Sequence, residues 1–168
     1  QYNTFRAASL INLVSSENNN GYIGGEINLS DGWFESPQNF YRSNLMARFQ
    51  TKYNKSNTFS FTGTYFKSKW DASGQIPNRA VQSGWITRFG AIDNNEGGAT
   101  ERQNINLQNK SRWGAWTLDQ TAYSSRYLFD LFSNFTFFLN DPLHGDQIRQ
   151  LEKRWINGYH AIVSNSNF

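Results

Sequence analysis

The chain has 168 residues, of which 17% are aromatic and 38% hydrophobic, and it carries a formal net charge of +3 from 16 basic and 13 acidic residues. These charges are dispersed along the chain, which argues against nucleic acid as a partner. The chain has no cysteine, so it has no disulfide framework, no thiolate metal site and no cysteine nucleophile.

The first two strand-like segments are separated by a polar turn. Tyr2 to Val14 is predicted to be a strand, and a second strand follows over Tyr22 to Leu29, where Ile23, Gly25, Ile27 and Leu29 alternate with the residues between them. The residues between them, Ser15 to Gly21, are mostly Asn, Ser and Gly, which favour turns. Asp31 to Phe40 is predicted to be the first longer loop.

The clearest strand pattern runs from Tyr41 to Tyr53. One face is mostly apolar and aromatic, whereas the other carries three cations, Arg42, Arg48 and Lys52. Three cations cannot enter a dry core, so this face is expected to meet water or a polar lumen. A turn at Asn54 to Asn57 then leads into a second alternating strand.

That second strand is predicted over Thr58 to Trp70. Each of these two strands has about 13 residues, which corresponds to about 43 Å, or about 30 Å of membrane thickness at a tilt near 45°. A mean strand in soluble proteins has only about 5 to 6 residues. Strand length therefore favours a membrane barrel over a sandwich.

Two more long connections follow. Asp71 to Glu101 is predicted to be a large functional loop, because a connection of that length is uncommon otherwise. Within it, four residues are spaced like one face of a short helix: Val81, Trp85, Ile86 and Phe89. Later strands are predicted over Arg102–Gln108, Trp113–Phe129 and Leu151–Val163, with a short turn at Asn109–Arg112 and a long loop at Asp130–Gln150.

Short and long connections alternate along the chain. Outer-membrane barrels have short periplasmic turns and long extracellular loops. The sequence therefore predicts an all-β fold, an antiparallel transmembrane β-barrel segment of about seven strands with long extracellular loops. Single-chain bacterial barrels have an even number of strands, at least eight, so residues 1–168 are expected to be a partial barrel domain. Aromatic residues near strand ends could form the interfacial girdles, among them Tyr22, Tyr41, Tyr53, Tyr65, Trp70, Trp113 and Trp116.

Candidate ligand-binding residues lie in the long loops. Arg79, Trp85 and Arg88 offer cations and a ring to an anionic or planar ligand; alternatively, the arginines tie the loop to its own acids, Asp71, Asp93 or Glu96. Phe135 and Phe137 belong to an aromatic cluster with Phe132 and Phe138 that either grips a ligand or packs on a neighbouring loop.

Signs of catalysis and of metal binding are weak. Asp141 to Asp146 places two carboxylates around His144, which suits a divalent ion but is also ordinary turn chemistry. No serine lies in a nucleophile-elbow context. We therefore expect no catalytic residues, no metal and no cofactor, and the protein is not expected to be an enzyme.

Three runs of the sequence resemble one family. Trp70–Pro77 with Arg79–Val81, Arg88–Asp93 and Glu96–Gly98 is similar to a barrel segment of TonB-dependent outer-membrane receptors. Phe129–Pro142 is similar to a later loop of the same proteins, and Asp31–Phe40 extends the resemblance over most of the chain.

This resemblance implies a receptor in the cell outer membrane that binds and imports a scarce nutrient. The substrate remains open between a siderophore, cobalamin, a peptide and a glycan. The implied partners are outer-membrane lipid, the small nutrient ligand and, through a plug that is absent from this sequence, the TonB energy-coupling complex; a surface lipoprotein or other envelope subunits are further partners of this kind.

The alternative is a soluble all-β ligand-binding module, such as a carbohydrate-binding sandwich whose aromatic rings stack on sugars. It predicts short strands and a dry core with inward-facing apolar residues. In such a module, the charged face of Tyr41–Tyr53 would be a solvated surface.

Overall fold

A computed structural model describes residues 2–136, 138–143 and 145–166. It contains seven strands and one short helix: β1 Phe5–Ser15, β2 Asn19–Ser30, β3 Phe40–Asn54, β4 Asn57–Ala72, α1 Asn78–Gln82, β5 Glu96–Trp113, β6 Trp116–Ser133 and β7 Ile148–Asn165. The predicted all-β fold with seven strands is confirmed. Among these residues, no helix has both the length and the apolar character needed to cross a membrane.

All seven strands belong to one antiparallel sheet. They follow one another in chain order from β1 to β7, and every strand pairs with its sequence neighbours. Over the residues that the structure describes, β1 pairs only with β2 and β7 only with β6. The sheet is therefore open at both edges and does not close into a barrel.

The three short turns that join the strands have recognisable local chemistry. In the first, the Asn19 amide donates to the Ser16 hydroxyl at 3.0 Å. In the second, the Ser56 amide donates to Asn54 Oδ1 at 2.9 Å, which is an Asx turn. The third turn uses Gly114, whose φ of 58° lies in the region that favours glycine.

The predicted turn at Asn109–Arg112 is wrong. These residues lie within β5, where Asn109 pairs with Phe59 and Ser111 with Asn57. A polar sequence can continue as a strand when one face of the sheet is solvated, because its polar side chains can remain in contact with water. The chain reverses later, at Gly114 and Ala115, between the paired Trp113 and Trp116.

Strand register sorts the side chains onto two different faces, because directly opposed residues project on the same side of a sheet. The first we call the apolar face. Its apolar and aromatic side chains include Ile23, Ile27, Leu45, Ala47, Phe49, Phe59, Phe61, Tyr65, Ile105, Leu107, Leu118, Ala122, Tyr159 and Val163. On β5 to β7, polar residues lie among them, for example Gln103, Arg126 and Asn157.

The apolar face has a distinct border at each end of the strands. At the short-turn end, it carries the exposed rings of Tyr53, Trp113 and Trp116. At the other end, it carries charged residues, including Asp130 and Arg149, whose guanidinium donates to both carboxylate oxygens at 2.9 and 2.8 Å. Of the proposed girdle residues, Tyr22 and Trp70 lie on the opposite side of the sheet.

The second side we call the polar face. Glu26 accepts from Arg6 and from Arg42, each at 2.6 Å, and so connects β1, β2 and β3. Asn104 donates to Thr64 at 2.8 Å and accepts from Ser125 at 2.7 Å, which connects β4, β5 and β6. A few apolar side chains are exposed on this face too: Leu10, Met46, Ile156 and Ile162.

The sheet has no hydrophobic core of its own. Among the described residues, Ala80 in α1 is the only buried hydrophobic residue, at 3% exposure. Apolar side chains in mid-strand are exposed instead, for example Ile105 at 51% and Leu45 at 48%. The seven strands therefore form a single layer, and both of its faces are open to the surroundings.

Candidate functional site

Three long loops emerge from the same end of the sheet. We call them loop A (residues 31–39), loop B (residues 73–95) and loop C (residues 134–147). Direct hydrogen bonds join them: Glu35 N to Phe89 O at 3.0 Å, Ser36 Oγ to Asn94 Oδ1 at 2.8 Å and Gln147 Nε2 to Asn95 O at 3.0 Å. The loops therefore form one connected layer, with loop B in the middle.

The loop layer is anchored to the sheet by a buried polar junction. Asp93, Glu96 and Asn134 are only 9%, 7% and 4% exposed. The Asn134 amide donates to Glu96 Oε1 at 2.6 Å, and its side-chain Nδ2 donates to Asp93 Oδ2 at 3.3 Å. This junction holds loop B and loop C to the start of β5.

Glu96 lies at the loop end of β5, well beyond the apolar band. Burial raises the pKa of its carboxyl above the usual value, because a charge is costly away from water, and the negative charge of Asp93 acts in the same direction. The hydrogen bond from the Asn134 amide opposes the rise. Glu96 is thus a buried acid whose charged form is held by one backbone donor.

Gly74 lets loop B pass close to this junction. Its φ of 63° favours glycine, and a Cβ at this position would collide with the Glu96 carboxylate. Two features therefore favour glycine at position 74, in the run Ala72-Ser73-Gly74: its backbone conformation and its close approach to Glu96.

The structure leaves the predicted ligand-binding residues of loop B exposed. Arg79 lies in α1, and Arg88 and Trp85 follow it, with Trp85 74% exposed. Within the described part of the chain, neither arginine makes an ion pair or stacks on a ring. The arginines therefore do not tie loop B to its acids; that role belongs to the Asp93–Glu96–Asn134 junction.

The short helix of loop B begins earlier than the spacing predicted. α1 covers Asn78–Gln82 and buries Ala80, whereas Trp85 and Phe89 are 74% and 53% exposed. Loop B therefore contains a helical turn, but of the four residues of the predicted stripe only Val81 lies in it. Pro77 in extended conformation precedes the helix, and Gly84 with a φ of 73° follows it.

The aromatic residues of loop C do not form one cluster in the part of the chain described. Phe135 is 55% exposed, Phe132 lies in β6 under the Arg149 guanidinium at 5.1 Å, and Phe138 packs against Gly145. Phe137 lies outside the described residues. Among the described residues, Phe132, Phe135 and Phe138 make no ring–ring contact with one another.

The two aspartates of the candidate metal loop accept hydrogen bonds from backbone amides of the loop itself. Asp141 Oδ1 accepts from the Leu143 amide at 3.1 Å, and Asp146 Oδ2 accepts from the Asn140 amide at 3.2 Å. Among the described residues, no group of three or more histidine, cysteine, aspartate or glutamate residues could hold a metal ion. His144 lies outside them.

A cationic and aromatic row lies on the polar face, and no sequence pattern predicted it. Tyr127 in β6 is paired with Arg102 in β5 on one side and with Arg154 in β7 on the other. The two guanidinium carbons lie 5.1 and 5.7 Å from the centre of the tyrosine ring. Nothing local in the sequence connects these residues, because only the strand register brings them together.

Comparison of the chain with protein-family models, curated proteins and solved structures finds no match.

Proposed function

We propose that this chain forms part of the barrel of a TonB-dependent receptor in the cell outer membrane. The observation that carries the proposal is the single-layer sheet with one apolar face and one hydrogen-bonded polar face. Alternation of lipid-facing and lumen-facing residues is the pattern of transmembrane barrels. On this reading, the apolar face contacts lipid and the polar face lines the interior.

The apolar face needs an apolar environment to cover it. A large apolar side chain gains about 1.5 to 3 kcal/mol when it leaves water. Ile105, Tyr159 and Val163 remain 51%, 65% and 58% exposed, so the isolated sheet forgoes much of this gain in water. Lipid chains would supply the missing apolar environment without a second protein layer.

The dimensions and borders of the apolar face also suit a bilayer. β3 has 15 residues, about 50 Å along the strand, or about 35 Å of membrane thickness at a tilt near 45°. That exceeds the roughly 25 Å apolar band of such barrels. Tyr53, Trp113 and Trp116 border the band on the short-turn side, where amphipathic rings favour the membrane interface.

The open edges of β1 and β7 support a larger barrel. Unpaired strand edges expose amide and carbonyl groups, which is costly in lipid, so spanning sheets close. We infer that further strands pair with these edges in the assembled protein. The soluble sandwich is less well supported, since it requires a second layer and short strands, and the described strands have 11 to 18 residues.

The resemblance and the three long loops support a receptor function. Loops A, B and C form a connected layer at one end of the sheet, where a surface receptor first meets its ligand. The ligand class remains a scarce nutrient, such as a siderophore, cobalamin, a peptide or a glycan. We propose binding and transport without covalent chemistry and without a cofactor.

Binding to TonB tests the receptor assignment. Full-length protein purified in detergent is expected to be captured by the immobilised periplasmic domain of TonB, and more strongly in the presence of its nutrient. An unrelated porin of similar size serves as the control. A full-length protein that inserts into membranes but is never captured by TonB would contradict the receptor assignment while leaving the barrel intact.

A further inference from the structure

The row Arg102–Tyr127–Arg154 crosses three adjacent strands at one height on the polar face. Its members oppose one another in the register, so they occupy one line perpendicular to the strands. Both guanidinium groups lie within 6 Å of the same ring, at 5.1 and 5.7 Å, the range of cation–π attraction. Two cations, one from each neighbouring strand, therefore lie close to a single tyrosine ring.

The guanidinium N–H groups of Arg102 are available to a ligand. Across the described ranges, its guanidinium makes no ion pair and no hydrogen bond. Arg154 is partly engaged, because its Nε lies 3.1 Å from Glu152 Oε1. The planar guanidinium presents several N–H donors in a fixed geometry that matches carboxylate and phosphate.

The surrounding charges leave the row positive. Glu152 is the acid beside it, and that carboxylate is already used by Arg154. Glu26 lies farther along the same line of the sheet, on β2, and is neutralised by Arg6 and Arg42. Arg102 and Arg154 therefore carry two positive charges beside the single negative charge of Glu152, and the excess positive charge is on Arg102.

A depression beside Arg102 provides room for a ligand. It is lined by Phe66, Thr100, Arg102 and Tyr127 and has a volume of roughly 310 Å³. Small-molecule sites of this size usually combine apolar rings with a few polar groups. Here two rings flank one unpaired guanidinium, on the loop side of the sheet.

We propose that the row Arg102–Tyr127–Arg154 binds an oxyanion group, carboxylate or phosphate, of the transported ligand. Arg102 supplies the paired donors, Arg154 supplies a second positive charge, and the rings of Phe66 and Tyr127 line the depression beside Arg102. The inference rests on the proposed function for its biological meaning, since it names the ligand chemistry of the receptor. The ligand then carries a negative charge as it passes below the loop layer.

The test measures anion binding to full-length protein in detergent at low ionic strength. Radiolabelled citrate is the carboxylate probe and radiolabelled pyrophosphate is the phosphate probe, each followed by equilibrium dialysis. We expect saturable binding of at least one probe, weakened tenfold or more by Arg102→Gln. The probe that binds more tightly identifies the carboxylate or the phosphate source.

Arg48→Gln is the matched control. Arg48 is an exposed cation on the same polar face, towards the short-turn end, so its removal changes the net charge equally. We expect its affinity to stay within about twofold of the wild type. Arg154→Gln gives a second, independent variant, with an expected loss of threefold or more, and thermal unfolding verifies that all variants fold.

Three results would overturn the inference: no saturable binding of either probe, equal affinity in the wild type and Arg102→Gln, or an equal loss in Arg48→Gln. Anion binding needs neither TonB nor transport. Failure of this site is therefore distinguishable from failure of the receptor assignment, which the TonB capture experiment measures separately.

Discussion

Glu96 is a buried acid at the junction that anchors the loop layer. It is 7% exposed, accepts from the Asn134 amide at 2.6 Å and faces Gly74 in loop B. Burial raises the pKa of this carboxyl above 4.5, its ordinary value. The folded junction therefore binds a proton more tightly than the opened loop does.

This coupling predicts a pH dependence of loop stability. The contribution of Glu96 is fully present below about pH 4.5, its value in the opened loop, and it is lost as the pH rises through the raised pKa of the folded state. Hydrogen-exchange protection factors in loop B, which correct for the intrinsic exchange rate, should fall over that window.

Glu96→Gln should abolish the fall, because the amide oxygen can still accept from Asn134 but does not ionise. Glu17→Gln, in the turn at the opposite end of the sheet, should retain the wild-type profile. A Glu96→Gln variant with an unchanged pH profile would show that another group titrates.

At the level of elements, the loop layer is held by buried amides rather than by its exposed arginines. Asn134→Ala removes the bond to Asp93 at 3.3 Å and an acceptor for the Phe138 amide at 3.4 Å. Leaving buried polar groups without partners costs about 1 to 3 kcal/mol. Limited proteolysis between Ser73 and Asn95 should therefore become roughly 5- to 100-fold faster.

The double variant Arg79→Ala/Arg88→Ala is the comparison. Both side chains are exposed and, in the described part of the chain, unpaired, so surface substitution should change stability by less than about 0.5 kcal/mol. Cleavage of loop B at the wild-type rate is expected. If loop B were cleaved faster in the arginine variant than in Asn134→Ala, the arginines would be the residues that hold this loop in place.

The strands were predictable because alternation and turn residues are local signals. The pattern from Tyr41 to Tyr53 lies within β3, Phe40–Asn54, and the turn at Asn54–Asn57 is where β3 passes into β4. The ends of a strand were harder to predict where the residues on either side of the end are polar. β5 begins at Glu96 and continues to Trp113, beyond the predicted limits at both ends, since Asn and Lys are tolerated on a solvated face.

The candidate site was predictable only where it is local. Loop B could be located from its length and lack of alternation, but its anchoring by Asn134 joins residues that are 38 and 41 positions apart. Arg102, Tyr127 and Arg154 meet only through the register of three strands. Register depends on pairing along whole strands, which a single sequence pattern does not specify.

At the scale of the whole molecule, the central feature is a sheet without a core. Apolar side chains predominate on one face and hydrogen-bonded polar side chains on the other, and neither face is covered by another layer. In a soluble protein, one of these faces would pack against a second sheet or a helix. In a barrel, lipid covers one face and the lumen lies against the other.

The claim that lipid covers the apolar face is tested most directly by the accessibility of consecutive positions along β3. Spin labels are placed one at a time at consecutive positions in the full-length protein in bilayers, and collision with a lipid-soluble and a water-soluble quencher is measured for each. We predict that labels at Leu45, Ala47 and Phe49 meet the lipid-soluble quencher, whereas labels at Met46, Arg48 and Gln50 meet the water-soluble one. A reversed pattern, or equal accessibility at all six positions, would contradict the assignment of the apolar face to lipid.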